Sequence, residues 1–210
     1  MKKDTLLTRA GRDPMSHAGT VNMPLYRTST VVFPDLASYD VRDGNDYKCM
    51  RYGIHGTPTT FAFEEAVAKL EGGHLAVALP SGLAAITAAL CTFVHAGDHL
   101  LMTDSCYGPT REFCRRQLKR NRVEVEYYDP LIGAGIEKLI KSNTKAIYCE
   151  SPGSLTFEMQ DIPAIASVAR PRGIPVLADT TWARGRHRDD GAILAAGAAH
   201  DRRLWLLHQP

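Results

Sequence analysis

The segment "HLAVALPSGLAAITAALCTFVHAGDHLLMTD", residues 74–104, predicts a strand, a helix and a second strand in direct succession. The first strand is the short apolar run "HLAVALP", and a Ser–Gly pair separates it from the helix. The apolar run from 82 to 94 has 13 residues, too few to span a bilayer, so we expect a buried helix. A helix that joins two buried strands predicts parallel pairing through a crossover connection.

The same alternation continues on both sides of this segment. Upstream, "FAFEEAVAKLEG" has helical spacing, with Phe63, Val67 and Leu70 on one stripe, and it stops at a Gly–Gly pair. Downstream, strands alternate with helices in the runs "PTREFCRRQLKR", "VEVEYYD", "GAGIEKLIKS", "TKAIYCES", "IPAIASVARPRG" and "IPVLADT". This pattern predicts an α/β fold with a mostly parallel sheet and crossover helices. Residues 1–55 have little core pattern and are typical of an arm that packs on a partner subunit.

Composition excludes several classes of protein. The 210 residues carry a net charge of +2, with 44% hydrophobic and 23% charged residues, which favours neither nucleic acid nor a membrane as a partner. The basic run 115–122 is interpreted as a solvated helix end. The five cysteines are scattered without metal-ligand spacing, which favours reduced thiols, no metal site and a cytoplasmic location. The amino terminus lacks the apolar core of a signal peptide.

Four strand ends carry groups that could bind a ligand, and ligands of parallel sheets lie at such ends. Ser81 and Gly82 open a helix whose free N–H groups suit a phosphate, although many strand–helix turns contain glycine. Tyr107 is either an exposed tyrosine of a surface turn or an aromatic face on which a flat ring can stack. Glu150 either caps a helix, forms a salt bridge or has a functional role. Asp179 is either a structural anchor or a partner for a protonated heterocycle. Together they suit a flat, phosphorylated pyridine, namely pyridoxal 5′-phosphate (PLP).

Several motifs carry a resemblance to a known family: "RYGIHGTPTTFAFEEAVAKLEGG", "LPSGLAAITAAL", "AGDHLLMTDSCYGPTREFC", "YYDPLIGAGI", "ESPGSLTFEMQDIPAI" and "VLADTTWA". The sequence resembles the PLP-dependent Cys/Met metabolism (trans-sulfuration) family over about residues 5–183. The fourth and fifth motifs favour its cystathionine β-lyase branch. The resemblance implies the large domain of the aspartate-aminotransferase-like fold (fold type I). It also implies a carbon–sulfur lyase of methionine biosynthesis that converts cystathionine to homocysteine, pyruvate and ammonia.

The resemblance implies a role for each of six cofactor-binding residues. Gly82 and Leu83 would donate backbone N–H groups to the phosphate, and Tyr107 would stack on the ring. Asp179 would pair with the ring nitrogen, with Thr181 beside the cofactor. Tyr52 would reach across the interface of a homo-oligomer, a dimer or tetramer, to the neighbouring subunit's phosphate.

The chain also departs from the family pattern. Ile54 stands where the family has an arginine that would clamp the phosphate, and Asp179-Thr180-Thr181 replaces Asp-Asn-Thr. The resemblance stops after residue 183, and none of the eight lysines follows Asp179. The family's Schiff-base lysine therefore has no counterpart here, and no catalytic residue is assigned.

We therefore expect three regions: an arm (1–55), a partial PLP-binding α/β domain (56–183) and an unrelated tail (184–210), with the family's C-terminal domain absent. A reading-frame shift would explain the arginine- and alanine-rich tail, and a genuine shortened variant is the alternative. The tail is expected to be poorly ordered, or at best a poorly packed helix. The chain is then an inactive relative of the β-lyases, with two alternatives: a non-enzymatic remnant that pairs with an intact homologue, or an unrelated nucleotide-binding reductase.

Overall fold

The computed structural model describes residues 3–40, 49–182, 193–196 and 204–207, the last two segments as main chain only. The chain forms two compact units, Met1–Leu70 and Glu71–Pro210. No helix among the described residues is long and apolar enough to cross a membrane.

The first unit contains short helices and extended segments. Helix α1 spans Lys3–Arg9, α2 spans Leu36–Asp40, and α3 spans Pro58–Glu71, whose last residue begins the second unit. Short 3-10 turns lie at Pro14–His17 and Gly53–His55. None of the described residues before Gly56 is buried, and Val32 is 89% exposed. The described part of the arm therefore contributes no buried side chain of its own.

The second unit is built on a seven-stranded sheet in the order β1-β7-β6-β5-β4-β2-β3. Its strands are β1 Leu75–Val77, β2 His99–Thr103, β3 Glu124–Tyr128, β4 Thr144–Glu150, β5 Val176–Asp179, β6 Ile193–Ala196 and β7 Leu204–Leu207. Strands β3, β2, β4, β5 and β6 run parallel, whereas β7 pairs antiparallel with both β6 and β1. The predicted α/β fold with a mostly parallel sheet is confirmed.

Three α-helices of the second unit follow the predicted order: α4 Gly82–Phe93, α5 Gly108–Phe113 and α6 Ile162–Ala169, with α5 continued by a π-helical turn to Leu118. The helix predicted in "GAGIEKLIKS" is a 3-10 helix, Gly133–Leu139. Alternate residues of the central strands join one face of α4 in a hydrophobic cluster, as Leu100 and Tyr148 do. Leu101 and Ile147, which lie between these positions, are also fully buried. Both faces of the central strands are therefore covered, as expected for parallel strands.

The expectation of at best a helix in the tail was wrong, because the tail contributes the strands β6 and β7 to the sheet. β6 extends the parallel sheet beside β5, with Ala195 opposite Asp179. The two strands are the short runs "ILAA" and "LWLL", which suit buried strands better than a helix. The expected poor order of the rest of the tail concerns residues 184–192, 197–203 and 208–210, which lie outside the described residues.

Candidate functional site

A cavity of about 540 Å³ lies at the carboxyl ends of β4 and β5 and at the start of α4. Its wall includes five of the six residues predicted to hold a cofactor: Gly82, Leu83, Tyr107, Asp179 and Thr181. They converge because parallel strands end at the same edge of the sheet. The sixth, Tyr52, belongs to the first unit, and its role stays a prediction.

The first turn of α4 forms one end of the cavity. Ser81 caps the helix, because its Oγ accepts a hydrogen bond from the N–H of Ala84 at 3.0 Å. The N–H groups of Gly82 and Leu83 precede the first N–H that bonds within the helix, that of Ala85 to the Ser81 carbonyl, so they suit an anionic ligand. No lysine or arginine is among the described residues that line the cavity. Main-chain N–H groups and hydroxyl groups are therefore the donors that the described lining offers to an anion.

Tyr107 stands at the turn between β2 and α5, and the residue is 44% exposed. The N–H of Tyr107 donates to Oε2 of Glu150 at 2.7 Å. The same turn is held from a second side, because the N–H of Ser154 donates to the carbonyl of Ser105 at 2.8 Å. The turn is thus fixed by β4 and by the loop that follows it, while the ring remains accessible.

Asp179 ends β5 and is only 5% exposed. Its Oδ1 accepts hydrogen bonds from the main-chain N–H of Thr181 at 3.0 Å and from the Thr181 hydroxyl at 2.5 Å. Thr181 therefore orients the carboxylate from its own turn, which gives the second threonine of Asp179-Thr180-Thr181 a structural reason.

Glu150 also lines the cavity, and the sequence left its role open. It is 7% exposed and lies directly opposite Asp179 in the pairing of β4 with β5. Burial, and then the charge of Asp179, raise the pKa of Glu150 to about 8, while the hydrogen bond from Tyr107 acts in the opposite direction. The sequence indicated Glu150 only as a polar residue at the end of β4. Its position opposite Asp179 depends on the order of the strands, which the sequence did not predict.

The loop after β4 supplies an apolar rim. The rings of Phe157 and Trp182 meet edge to face with their centroids 5.9 Å apart, and both residues line the cavity. The loop closes on itself, because the N–H of Gly153 donates to the carbonyl of Glu158 at 2.9 Å. Its return is fixed by the N–H of Gln160, which donates to the Ser151 hydroxyl at 3.1 Å.

One group of possible metal ligands lies among the described residues, at the opposite ends of the strands: His99, Glu124 and Glu126. The Lys141 amine bonds both carboxylates, at 2.8 Å to Glu124 and 2.5 Å to Glu126. Burial, and then the Lys141 charge, lower the pKa of His99. A cation would have to displace Lys141, so the group is interpreted as an ion-pair network.

Comparison with known proteins agrees with this architecture. The family model for Cys/Met metabolism PLP-dependent enzymes matches residues 4–188, and its structural neighbours have the type I fold of PLP-dependent enzymes. The chain belongs to this family. The match reaches slightly beyond residue 183, where the resemblance was expected to stop.

Individual relatives carry the names of lyases. A cystathionine β-lyase-like protein of Rhizobium johnstonii is 52% identical over 180 residues, which are 86% of this chain and 44% of the relative. Escherichia coli cystathionine β-lyase MetC is 39% identical over 188 residues, 88% of this chain and 47% of that protein. The crystal structure of metB from Corynebacterium glutamicum superposes with a TM-score of 0.88 and 25% identity, over 100% of this chain and 56% of that one. The chain therefore spans about half the length of the curated relatives it matches.

Proposed function

We propose that this chain is the cofactor-binding part of a cystathionine β-lyase-like carbon–sulfur lyase, that it binds PLP reversibly, and that by itself it is inactive. The observation that carries the proposal is the convergence of Gly82, Leu83, Tyr107, Asp179 and Thr181 on one cavity. The residues fit the group, because the buried carboxylate of Asp179, oriented by Thr181, would stabilise a protonated ring nitrogen, and the N–H groups at the start of α4 would stabilise a phosphate.

Each part of PLP has a counterpart in the cavity. The N–H groups of Gly82 and Leu83 would hold the phosphate, and the exposed face of Tyr107 would support the ring. Asp179 would keep the ring nitrogen protonated, with Thr181 fixing the carboxylate. When bound, PLP supplies an electron sink for the charge left on the substrate's α-carbon.

The chain lacks the other half of the chemistry. Its lysines stand at positions 2, 3, 48, 69, 119, 138, 141 and 145, all before Asp179, and no lysine is among the described residues that line the cavity. Within the part of the chain that the structure describes, no lysine amine is therefore placed to anchor PLP covalently or to remove the substrate's α-proton. Loss of a general base alone costs roughly 10²–10⁴ in rate.

The arm supports a homo-oligomeric assembly, a dimer or tetramer, in which Tyr52 serves the phosphate of a neighbouring subunit. Support comes from the exposure of the described residues before Gly56, including Val32 and Ile54 at 89% and 80%. Large apolar side chains at such exposure favour burial against another surface. The scattered cysteines support a cytoplasmic location.

A second candidate function rests on the same exposed arm. The chain would act as a non-enzymatic partner that pairs with an intact homologue through residues 1–55. Co-purification with a tagged full-length β-lyase of the same source supports this candidate, and separate elution of the two chains contradicts it. The reductase alternative is excluded by the family match.

The proposed inactivity is tested by adding PLP to the purified chain, reducing with borohydride and mapping the peptides. We expect only substoichiometric labelling spread over several lysines, and no pyruvate from cystathionine. One stoichiometric pyridoxyl-lysine together with pyruvate release would overturn the proposal. The E. coli β-lyase named above serves as the positive control for both measurements.

A further inference from the structure

The cavity contains a buried carboxyl group that none of the proposed cofactor contacts uses. Glu150 ends β4, is 7% exposed, and accepts the N–H of Tyr107 at 2.7 Å. Tyr107 is the residue just before α5, so Glu150 satisfies a main-chain donor at the start of that helix from a different strand. The position of the Tyr107 ring therefore depends on a side chain 43 residues away in sequence.

Glu150 and Asp179 are direct partners in the parallel pairing of β4 with β5, so their side chains leave the same face of the sheet. Two buried carboxylates in adjacent positions repel each other strongly, which favours a proton on one of them. Burial, and then the charge of Asp179, raise the pKa of Glu150 to about 8. Of the two carboxyl groups, Glu150 is therefore the one whose environment favours the proton at neutral pH.

Two other titratable side chains are coupled to Glu150. Burial raises the pKa of Cys106 to about 11, and burial also raises the pKa of Tyr148 well above its usual value. Both therefore stay neutral between pH 4.5 and 9. Any titration of the cavity floor in this range belongs to the pair of Glu150 and Asp179.

We propose that Glu150 is a positioning residue of the cofactor cavity: its neutral carboxyl group holds the turn that carries Tyr107 and leaves Asp179 as the one charged carboxylate among the described lining residues. A single negative charge matches the single positive charge of a protonated pyridine ring. The proposal rests on the proposed function only in its second consequence, the alignment of Tyr107 with a bound ring.

The protonation of Glu150 is tested without any cofactor, by urea unfolding of the original chain and Glu150→Gln between pH 4.5 and 9. Because the pKa is raised in the folded state, the folded chain binds more protons than the unfolded one between 4.5 and about 8. The contribution of Glu150 to the stability of the original chain therefore falls as pH rises through this window, and the glutamine variant lacks this contribution. We expect the folding constant of Glu150→Gln, divided by that of the original chain, to rise at least about tenfold between pH 4.5 and 9. The full pKa difference sets a ceiling of roughly 3,000-fold on this rise.

The control is Glu137→Gln, which removes an exposed carboxylate that pairs with Arg172 and does not line the cavity. Its folding constant is expected to show no such rise relative to the original chain. A pH-independent ratio for Glu150→Gln would overturn the claim that Glu150 holds a proton.

The positioning of Tyr107 is tested by binding of pyridoxine 5′-phosphate, which has no aldehyde and cannot react with lysines. Glu150→Gln keeps an acceptor oxygen and should bind within about threefold of the original chain. Glu150→Ala loses the acceptor and should bind at least about tenfold more weakly, and so should Tyr107→Ala. In the double variant the two losses should not multiply, because both remove the same ring contact.

Multiplicative losses in that cycle, or unchanged binding by Glu150→Ala, would overturn the positioning role. If the original chain binds no pyridoxine 5′-phosphate, the proposed function fails. In that case the pH dependence of the unfolding free energy still tests whether Glu150 is protonated.

Discussion

Replacement of Gly153 by alanine should loosen the loop that closes the cavity. A Cβ at this position would lie 2.7 Å from both Cβ and Oγ of Ser105 and 2.9 Å from Oε2 of Glu158. The Ser105 Cβ cannot move without its main chain, and its carbonyl accepts the N–H of Ser154. The clash would therefore displace the turn that leads to Tyr107.

Overpacking of this kind costs about 1–3 kcal/mol, partly offset by the lower entropy of the unfolded alanine chain, about 0.4–1 kcal/mol. We expect a net loss of about 1–2 kcal/mol in the free energy of unfolding, measured by urea denaturation. Gly108→Ala is the matched control, because a Cβ there meets nothing within 4 Å. It should be neutral or slightly stabilising.

The double variant Gly153→Ala with Ser105→Gly removes the two clashing Ser105 atoms and should recover part of the loss relative to the sum of the two single changes. Equal urea midpoints for Gly153→Ala and Gly108→Ala would refute the close packing of the loop against the Tyr107 turn.

Two further changes test the framework of the second unit. His99 is fully buried, and burial followed by the charge of Lys141 lowers its pKa, so the stability it contributes is present above about pH 6.5 and is lost as the pH falls. His99→Gln should therefore lose less stability than the original chain between pH 7.5 and 5 in urea denaturation, and parallel curves would contradict this. Ser81→Ala removes the cap of α4 and should lower the free energy of unfolding, measured by thermal denaturation, by about 1 kcal/mol. Ser167→Ala loses only a hydrogen bond to the Ala164 carbonyl and should lower it by less. Equal losses would contradict the capping role.

The central strands and their polar ends could be predicted because the information is local. Each strand is a short apolar run that stops at a polar residue, such as Asp179, and each is followed by a turn or a helix start. Parallel pairing then brings these ends to one edge, so the convergence of Tyr107 and Asp179 follows without knowledge of strand order.

The features that the sequence did not predict depend on long-range pairing. Glu150 gains its environment only because β4 lies beside β5, and the tail strands only because β5 leaves an edge that β6 can join. In α3 the buried residues are Phe61, Glu64 and Ala68, and Phe63 of the predicted stripe is 47% exposed. A helix periodicity gives the spacing of a buried face, but tertiary packing selects which face it is.

The central claim is that this chain holds a phosphorylated pyridine in the cavity without a covalent bond. Its most direct test is a calorimetric titration of the 210-residue chain and of Asp179→Asn with pyridoxine 5′-phosphate. We expect saturable binding of one ligand per chain, weakened at least about tenfold in the variant, because a charge-assisted hydrogen bond is worth about 1.5–3 kcal/mol. Absence of saturable binding, or equal affinity for the two chains, would contradict it.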